Sequence, residues 1–299
     1  MKFRVPALAA AVLAIALVLA VVLWAGALSN AVVVWRVDLG TISLLLGILS
    51  SGVITLAVFL AARARNRHRL LLQSAARDRR RFLARLDHEL KNPLTAIRAG
   101  LANLGDSSSE ALHEKALQSV NTQALRLSKL VSDLRKLAEL ETQPLEHSQV
   151  DLAGLLQEAV SLGREHPGAD GLTLRLTLPQ APWPLPHIKG DWDLLFIVFH
   201  NLLDNAIKFS SSGKTVEIRA FEDGAQVVVE VADTGAGIPE SELPYVWEEL
   251  YRGEGAREIP GSGLGLALVR AIVERHGGRV MLRSRVGQGT VVSVRLPID

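Results

Sequence analysis

Chemistry first becomes possible in the string Leu86-Asp87-His88-Glu89-Leu90-Lys91-Asn92-Pro93-Leu94-Thr95. Neutral imidazole is a nucleophile near pH 7, and a glutamate beside it can take or orient its proton. Asn92 falls one helical turn after His88, on the same face. Pro93 lacks an amide hydrogen and crowds the carbonyl of Glu89, which loosens the helix beside the histidine. A second cluster is Asn201, Asn205 and Lys208, spaced to form one polar stripe on a helix. A solvated face would explain such a stripe, but asparagine is a poor helix former and gives no packing return there. Carboxamide oxygens suit a hard cation such as Mg²⁺, and the lysine suits phosphate. Two glycine-bearing strings complete the set. Val231-Ala232-Asp233-Thr234-Gly235-Ala236-Gly237-Ile238-Pro239 ends a strand, where a turn alone would account for the glycines. Pro260-Gly261-Ser262-Gly263-Leu264-Gly265-Leu266-Ala267-Leu268 leads into a helix. There the missing side chains let backbone amides and the helix start approach phosphate oxygens.

The elements that must carry these groups follow from periodicity. With one proline and no glycine before Gly100, residues 63–104 read as one continuous helix. Asp106-Ser107-Ser108-Ser109 reads as a turn, and a second helix runs to about Leu140. Its Leu117, Val120, Ala124, Leu127, Val131, Leu134 and Ala138 recur at steps of three and four. One antiparallel partner cannot cover that seam, which predicts a dimeric four-helix bundle. Beyond about Gln143 the heptad stops. Strand-like runs at 172–178, 215–221, 226–233, 280–285 and 290–296 alternate with helices at 152–162, 191–209 and 265–276. This mixture predicts an α/β two-layer sandwich. On the middle helix, Leu195, Phe199, Leu202, Leu203 and Ala206 form the stripe to be buried, and His200 reads as a surface residue.

The N-terminal part predicts a membrane protein with two transmembrane helices. Val5 to Leu28 and Thr41 to Ala62 carry no charge, and each is long enough to cross a bilayer. A cleaved signal peptide would explain the first, but its apolar run is long for one and a second span follows at once. Lys2 and Arg4 precede the first span. Arginines 63, 65, 67, 69, 77, 79, 80, 81 and 85 follow the second. Positive-inside bias therefore places both termini in the cytoplasm. The loop from Ser29 to Leu39 is too short to fold a ligand-binding domain. Within the second span, Ser43, Gly47 and Ser51 form a small-residue stripe expected to pack span against span in a dimer. The 299 residues are 48% hydrophobic, enough to build cores, which excludes a disordered chain. Cysteine is absent, which excludes disulfides, thiolate metal sites and cysteine nucleophiles. The expected domains are 1–62, a transmembrane hairpin; 63–79, a basic juxtamembrane helix; 80–142, the helical hairpin; and 143–299, the α/β domain.

The motifs, taken in order, resemble sensor histidine kinases of two-component systems. The first string is similar to the family's H-box, His-Glu-x-x-Asn-Pro-Leu-Thr. The run Asn201 to Ser210 resembles its N-box, Val231 to Pro239 its G1 box, and Pro260 to Leu268 its G2 box. Between the last two, Val246-Trp247-Glu248-Glu249-Leu250-Tyr251-Arg252-Gly253 occupies the place of the phenylalanine-rich F-box. Trp247 and Leu250 stand where phenylalanines are usual, while Arg252 matches. The resemblance implies an ATP-dependent protein-histidine kinase. His88 would be the phospho-acceptor, Glu89 the base and Asn92 the residue that positions water for dephosphorylation. It implies ATP held by Asn201, Asn205, Lys208, Phe209, Asp233, Gly235, Gly237, Ile238, Arg252, Gly261, Ser262, Gly263, Leu264, Gly265 and Leu266, with Mg²⁺ on Asn205. The Asp233 carboxylate would accept the exocyclic amine of adenine.

Expected partners are a second copy of the chain, a response regulator on a separate chain that receives the phosphoryl group and is also dephosphorylated, and a membrane partner or lipid as input. No direct contact with nucleic acid is expected. The location implied is the bacterial inner membrane. The connection from Ala62 to His88 is too short for a HAMP relay. ATPases of the gyrase, heat-shock-protein-90 and mismatch-repair group share the nucleotide fold but lack a His-Glu-x-x-Asn-Pro box on a helical hairpin. A receptor with a degenerate kinase is the other alternative, favoured by the altered F-box and opposed by the intact motif residues.

Overall fold

The computed structural model describes residues 14–22, 24, 38–106, 110–256 and 259–298. The chain divides into two compact units, Met1–Arg81 and Phe82–Asp299. Helix α1 (Leu39–Asp106) runs through both and contains Pro93. In the first unit, residues 14–22 are helical. The expected first span, Val5 to Leu28, otherwise lies largely outside the described residues, as does the connecting loop. Among the described residues one stretch, Leu39–Asn66, is long and apolar enough to cross a membrane. Its small-residue face is used within the chain. A Cβ on Gly47 would collide with the Ala16 Cβ, and one on Gly40 would lie 2.8 Å from the Ala20 carbonyl oxygen. Gly47 therefore packs helix on helix inside one chain, rather than only between chains as the stripe alone suggested.

In the second unit, α1 and α2 (Glu110–Thr142) form the expected hairpin. They approach closely at Gly100, where a Cβ would sit 2.7 Å from Val120 Cγ2. The heptad seam divides. Val120, Leu127 and Leu134 are partly covered, whereas Leu117 and Val131 stay exposed in the single chain.

The α/β half holds β1 (Ser148–Val150), α3 (Leu152–Arg164), β2 (Thr173–Thr177), β3 (Ile188–Gly190), α4 (Trp192–Lys208), β4 (Thr215–Asp223), β5 (Gln226–Asp233), α5 (Gly265–Arg275), β6 (Arg279–Arg285) and β7 (Gly289–Pro297). The main sheet runs β2-β4-β5-β7-β6, parallel only between β2 and β4. The three-residue strands β1 and β3 pair in a separate small sheet. They are too short to show alternation in the sequence. Helices α3 and α4 start on aspartate caps, with Asp151 Oδ1 accepting from Gly154 N at 3.1 Å and Asp191 Oδ1 from Leu194 N at 3.0 Å. The predicted α4 stripe, Leu195, Phe199, Leu202, Leu203 and Ala206, is buried in the core between helices and sheet.

Candidate active site

Because the apolar face of α4 is buried, its polar stripe turns to a cleft of about 230 Å³. Asn201, Asn205, Lys208, Phe209, Asp233, Gly237, Ile238, Arg252, Gly261, Ser262, Gly263, Gly265 and Leu266 all line it. Gly235 and Leu264 do not. Gly235 lies behind the wall and donates its N–H to Asp233 Oδ1 at 2.8 Å. Leu264 is fully buried in an apolar cluster facing the hairpin. At one end of the cleft, Asp233 Oδ1 also accepts from Thr290 N at 3.3 Å. Both bonds fall on one oxygen, which leaves Oδ2 for a donor in the cleft. Burial raises the Asp233 carboxyl above the usual range, and the two amide bonds oppose this.

Gly237 (φ +71°) sits where a Cβ would overlap the Arg285 backbone. The next amide, Ile238 N, donates to Ser284 Oγ at 2.8 Å. At the other end, Asn201 Nδ2 donates to Ile197 O at 2.8 Å, and its Oδ1 lies 3.0 Å from where a Gly265 Cβ would be. Any side chain at Gly265 would crowd that amide at the first residue of α5. Lys208 Nζ is held by Asp204 Oδ2 at 2.6 Å while lining the cleft. The Arg252 guanidinium donates to the carbonyls of Ala256 and Ile259, and burial chiefly lowers its pKa, with Arg126 adding to the effect. No group of three or more histidines and carboxylates that could hold a metal occurs among the described residues.

This donor set fits an adenine nucleotide. A fixed carboxylate oxygen faces one end, and glycines, carboxamides and a lysine face the other. A metal there would rest on the Asn205 carboxamide oxygen and on oxygens brought by the ligand.

On the hairpin, His88 is exposed and Asn92 Nδ2 lies 3.2 Å from its Nδ1. Glu89 makes its ion pair elsewhere, with Arg126 Nη2 of α2 at 2.8 Å. The segment before the glycine loop docks beside these residues. Leu250, at φ +58° and 3% exposed, joins Leu130 and Leu264 in a cluster with Phe82, Leu86 and Leu90. It also lines a small niche with Ala84, Arg85, His88 and Glu89. Arg85 holds its neighbours, donating to Glu248 Oε2 at 2.6 Å and to Glu249 O at 3.1 Å, with Tyr251's ring 5.5 Å away. Ser262 Oγ donates to Asp133 Oδ2 of α2 at 2.9 Å, with both residues buried.

Sequence reasoning placed the motif residues but missed Arg85, Arg126, Lys129, Asp133, Asp204, Ser284 and Thr290. Apart from Asp204, whose partner Lys208 is one helical turn on, their partners lie far away in sequence or outside any motif. Asp204 alone had a signal, being the one acid inside the asparagine stripe.

Two domain families match in tandem. Residues 78–143 match the His Kinase A (phospho-acceptor) domain, and residues 190–299 match the histidine kinase-, DNA gyrase B- and HSP90-like ATPase. The signal transduction histidine-protein kinase BaeS of Escherichia coli K12 is 33% identical over 232 residues, 76% of this chain and 49% of that protein. Among solved structures, ShkA, full-length in complex with AMPPNP, is 28% identical with a TM-score of 0.53 over 72% of this chain and 45% of that one. Histidine kinase ThkA in complex with response regulator protein TrrA shares the fold, with a TM-score of 0.60 at 22% identity over 73% of this chain and 61% of that one. The chain spans between about a third and a half of the length of the first curated relatives it matches. A phospho-acceptor domain and a histidine kinase-like ATPase domain therefore follow one another in this chain, and sensor histidine kinases match it across both.

Proposed function

We propose that this chain binds ATP with Mg²⁺ in the cleft and phosphorylates its own His88, then serves a response regulator as phosphoryl donor and as phosphatase. The observation that carries the reading is that one compact unit holds both the nucleotide-fitting cleft and His88, with Leu250 of the segment between G1 and G2 lining the niche beside that histidine. In the reaction, His88 Nε2 attacks the γ-phosphorus. The bond from that phosphorus to the β–γ bridging oxygen breaks, ADP departs with the electron pair, and the ring gives up its Nδ1 proton.

Asn92 bears on which nitrogen is free. With its amide group donating to Nδ1, the ring proton sits on Nε2. Turned over, its carbonyl accepts from Nδ1–H and frees the Nε2 lone pair, the orientation the reaction requires. Glu89 is the base in this scheme, and leaving Arg126 readies it. Asp233 holds adenine through Oδ2, the glycine loop and Lys208 receive the phosphates, and Asn205 gives an oxygen to Mg²⁺, which neutralises phosphate charge.

Dimerisation is supported by the exposed Leu94, Leu101, Leu117 and Val131 on the hairpin, an apolar face that a second copy would cover. The apolar Leu39–Asn66 helix supports a place in the bacterial inner membrane, while two spans with cytoplasmic termini rest on the uncharged runs and basic flanks of the sequence. Input then comes through lipid or a membrane partner. Asn205→Ala abolishes ATP-dependent labelling of His88, whereas Asn92→Ala spares labelling and slows dephosphorylation of the regulator. Normal labelling of Asn205→Ala overturns the metal assignment.

A further inference from the structure

One wall of the cleft comes from the hairpin. Lys129 of α2 lines it together with Asn201, Asn205, Lys208 and the glycine loop. Its Nζ lies 3.7 Å from Asp204 Oδ2, an oxygen that Lys208 already holds at 2.6 Å. Two fixed cations therefore share one carboxylate, and this end of the cleft keeps an excess of positive charge. Lys208 is the closer and more buried of the pair, with a side chain 20% exposed against 50% for Lys129. Lys129 is therefore the cation with the looser bond and the freer four-carbon stem, able to swing toward an anion in the cleft. Its register over the cleft is fixed by its neighbours along α2. Leu130 is buried against Leu250 and Leu264, and Asp133, one turn on, accepts the buried Ser262 hydrogen bond from the glycine loop.

We infer that Lys129 is a phosphate-binding residue delivered to the nucleotide cleft by the phosphotransfer hairpin. Triphosphate affinity is then coupled to docking of the ATPase domain on that hairpin, and by linkage the nucleotide's phosphates strengthen the docking in return. This rests on the nucleotide reading of the cleft.

The experiment measures equilibrium binding of ATP and of AMP to the full chain in membranes, with Mg²⁺ present and no turnover readout. Lys129→Ala weakens ATP binding about tenfold, leaves AMP within about twofold, and lowers the salt dependence of ATP binding; Lys129→Arg restores ATP binding. Loss of Lys129 also leaves Asp204 less neutralised, which could repel phosphate without any direct contact. The comparison is therefore repeated in an Asp204→Asn background, where a direct contact still costs Lys129→Ala its ATP affinity. Equal ATP affinity of Lys129→Ala and the unaltered chain, or no effect of Lys129→Ala once Asp204 is Asn, overturns the inference while the cleft assignment stands. Failure of the unaltered chain to bind either nucleotide overturns the cleft assignment itself, and the inference with it.

Discussion

Leu250→Ala tests how the segment between the G1-like and G2-like strings, termed the lid below, is held beside His88. Leu250 is 3% exposed and its side chain fills a cluster built from Leu130, Leu264, Phe82, Leu86 and Leu90. Truncating a buried leucine costs about 2–5 kcal/mol, and the low end applies here because a loop segment can settle into the space. About 2 kcal/mol shifts the docking equilibrium of the lid by roughly thirtyfold. The ATPase core is untouched, since β4, β5 and β7 pair without any help from this residue. Hydrogen exchange of the full chain reads the change directly. Peptides covering 248–256 and 259–264 exchange about thirtyfold faster in the variant, and peptides from β5 and β7 do not. The left-handed backbone at φ +58° adds a control. Leu250→Gly relieves about 1–2 kcal/mol of strain, but gives up a further methyl of about 0.8 kcal/mol and the chain stiffness of a substituted residue. It therefore falls within about 1 kcal/mol of the alanine variant. Unchanged exchange of the lid peptides in Leu250→Ala refutes the reasoning.

Two further outcomes come from buried ionisable groups. Burial raises the Asp233 carboxyl, so the folded state holds a proton more readily than the unfolded one, and stability declines as pH rises through that range. Asp233→Asn keeps an oxygen for the Gly235 and Thr290 amides. It leaves the ligand-free fold as stable or more so in thermal melts at neutral pH, yet weakens ATP binding about 10–100-fold; a fall in melting temperature without loss of affinity contradicts this. His276 is buried, with Nε2 accepting from Asp191 N at 3.0 Å and Nδ1 donating to Ile272 O at 2.8 Å. Burial lowers its pKa, so below about pH 6.5 the unfolded chain takes a proton that the folded one resists, and stability falls. His276→Gln flattens melting temperature against pH between about 7.5 and 5.5; an unchanged slope counts against the assignment.

The nucleotide motifs were legible because they break local rules. Asn201 and Asn205 are poor helix formers set in a helix beside a continuous apolar stripe, and Gly237 and Gly263 stand where φ is +71°. His88 was legible through the proline and asparagine that come after it. The docking contacts were not. Ser262 and Asp133 are 129 residues apart, and Arg85 and Glu248 are 163 apart, so no periodicity links them. The heptad on α2 showed that a seam exists, but it did not show that Leu130 and Asp133 would be the buried positions and Val131 an exposed one. Their partners come from the ATPase domain, which heptad reasoning does not see. Gly47 likewise showed a close approach of helices without naming Ala16 of the same chain as the neighbour.

In the proposed function, phosphate from ATP arrives on His88. The direct measurement incubates the full chain in membranes with γ-labelled ATP and Mg²⁺, then maps the labelled residue. The expected result is acid-labile, alkali-stable label on His88 that is absent from His88→Gln, while that variant binds ATP as tightly as the unaltered chain. Label of equal strength in His88→Gln, or none in a chain that binds ATP, contradicts it.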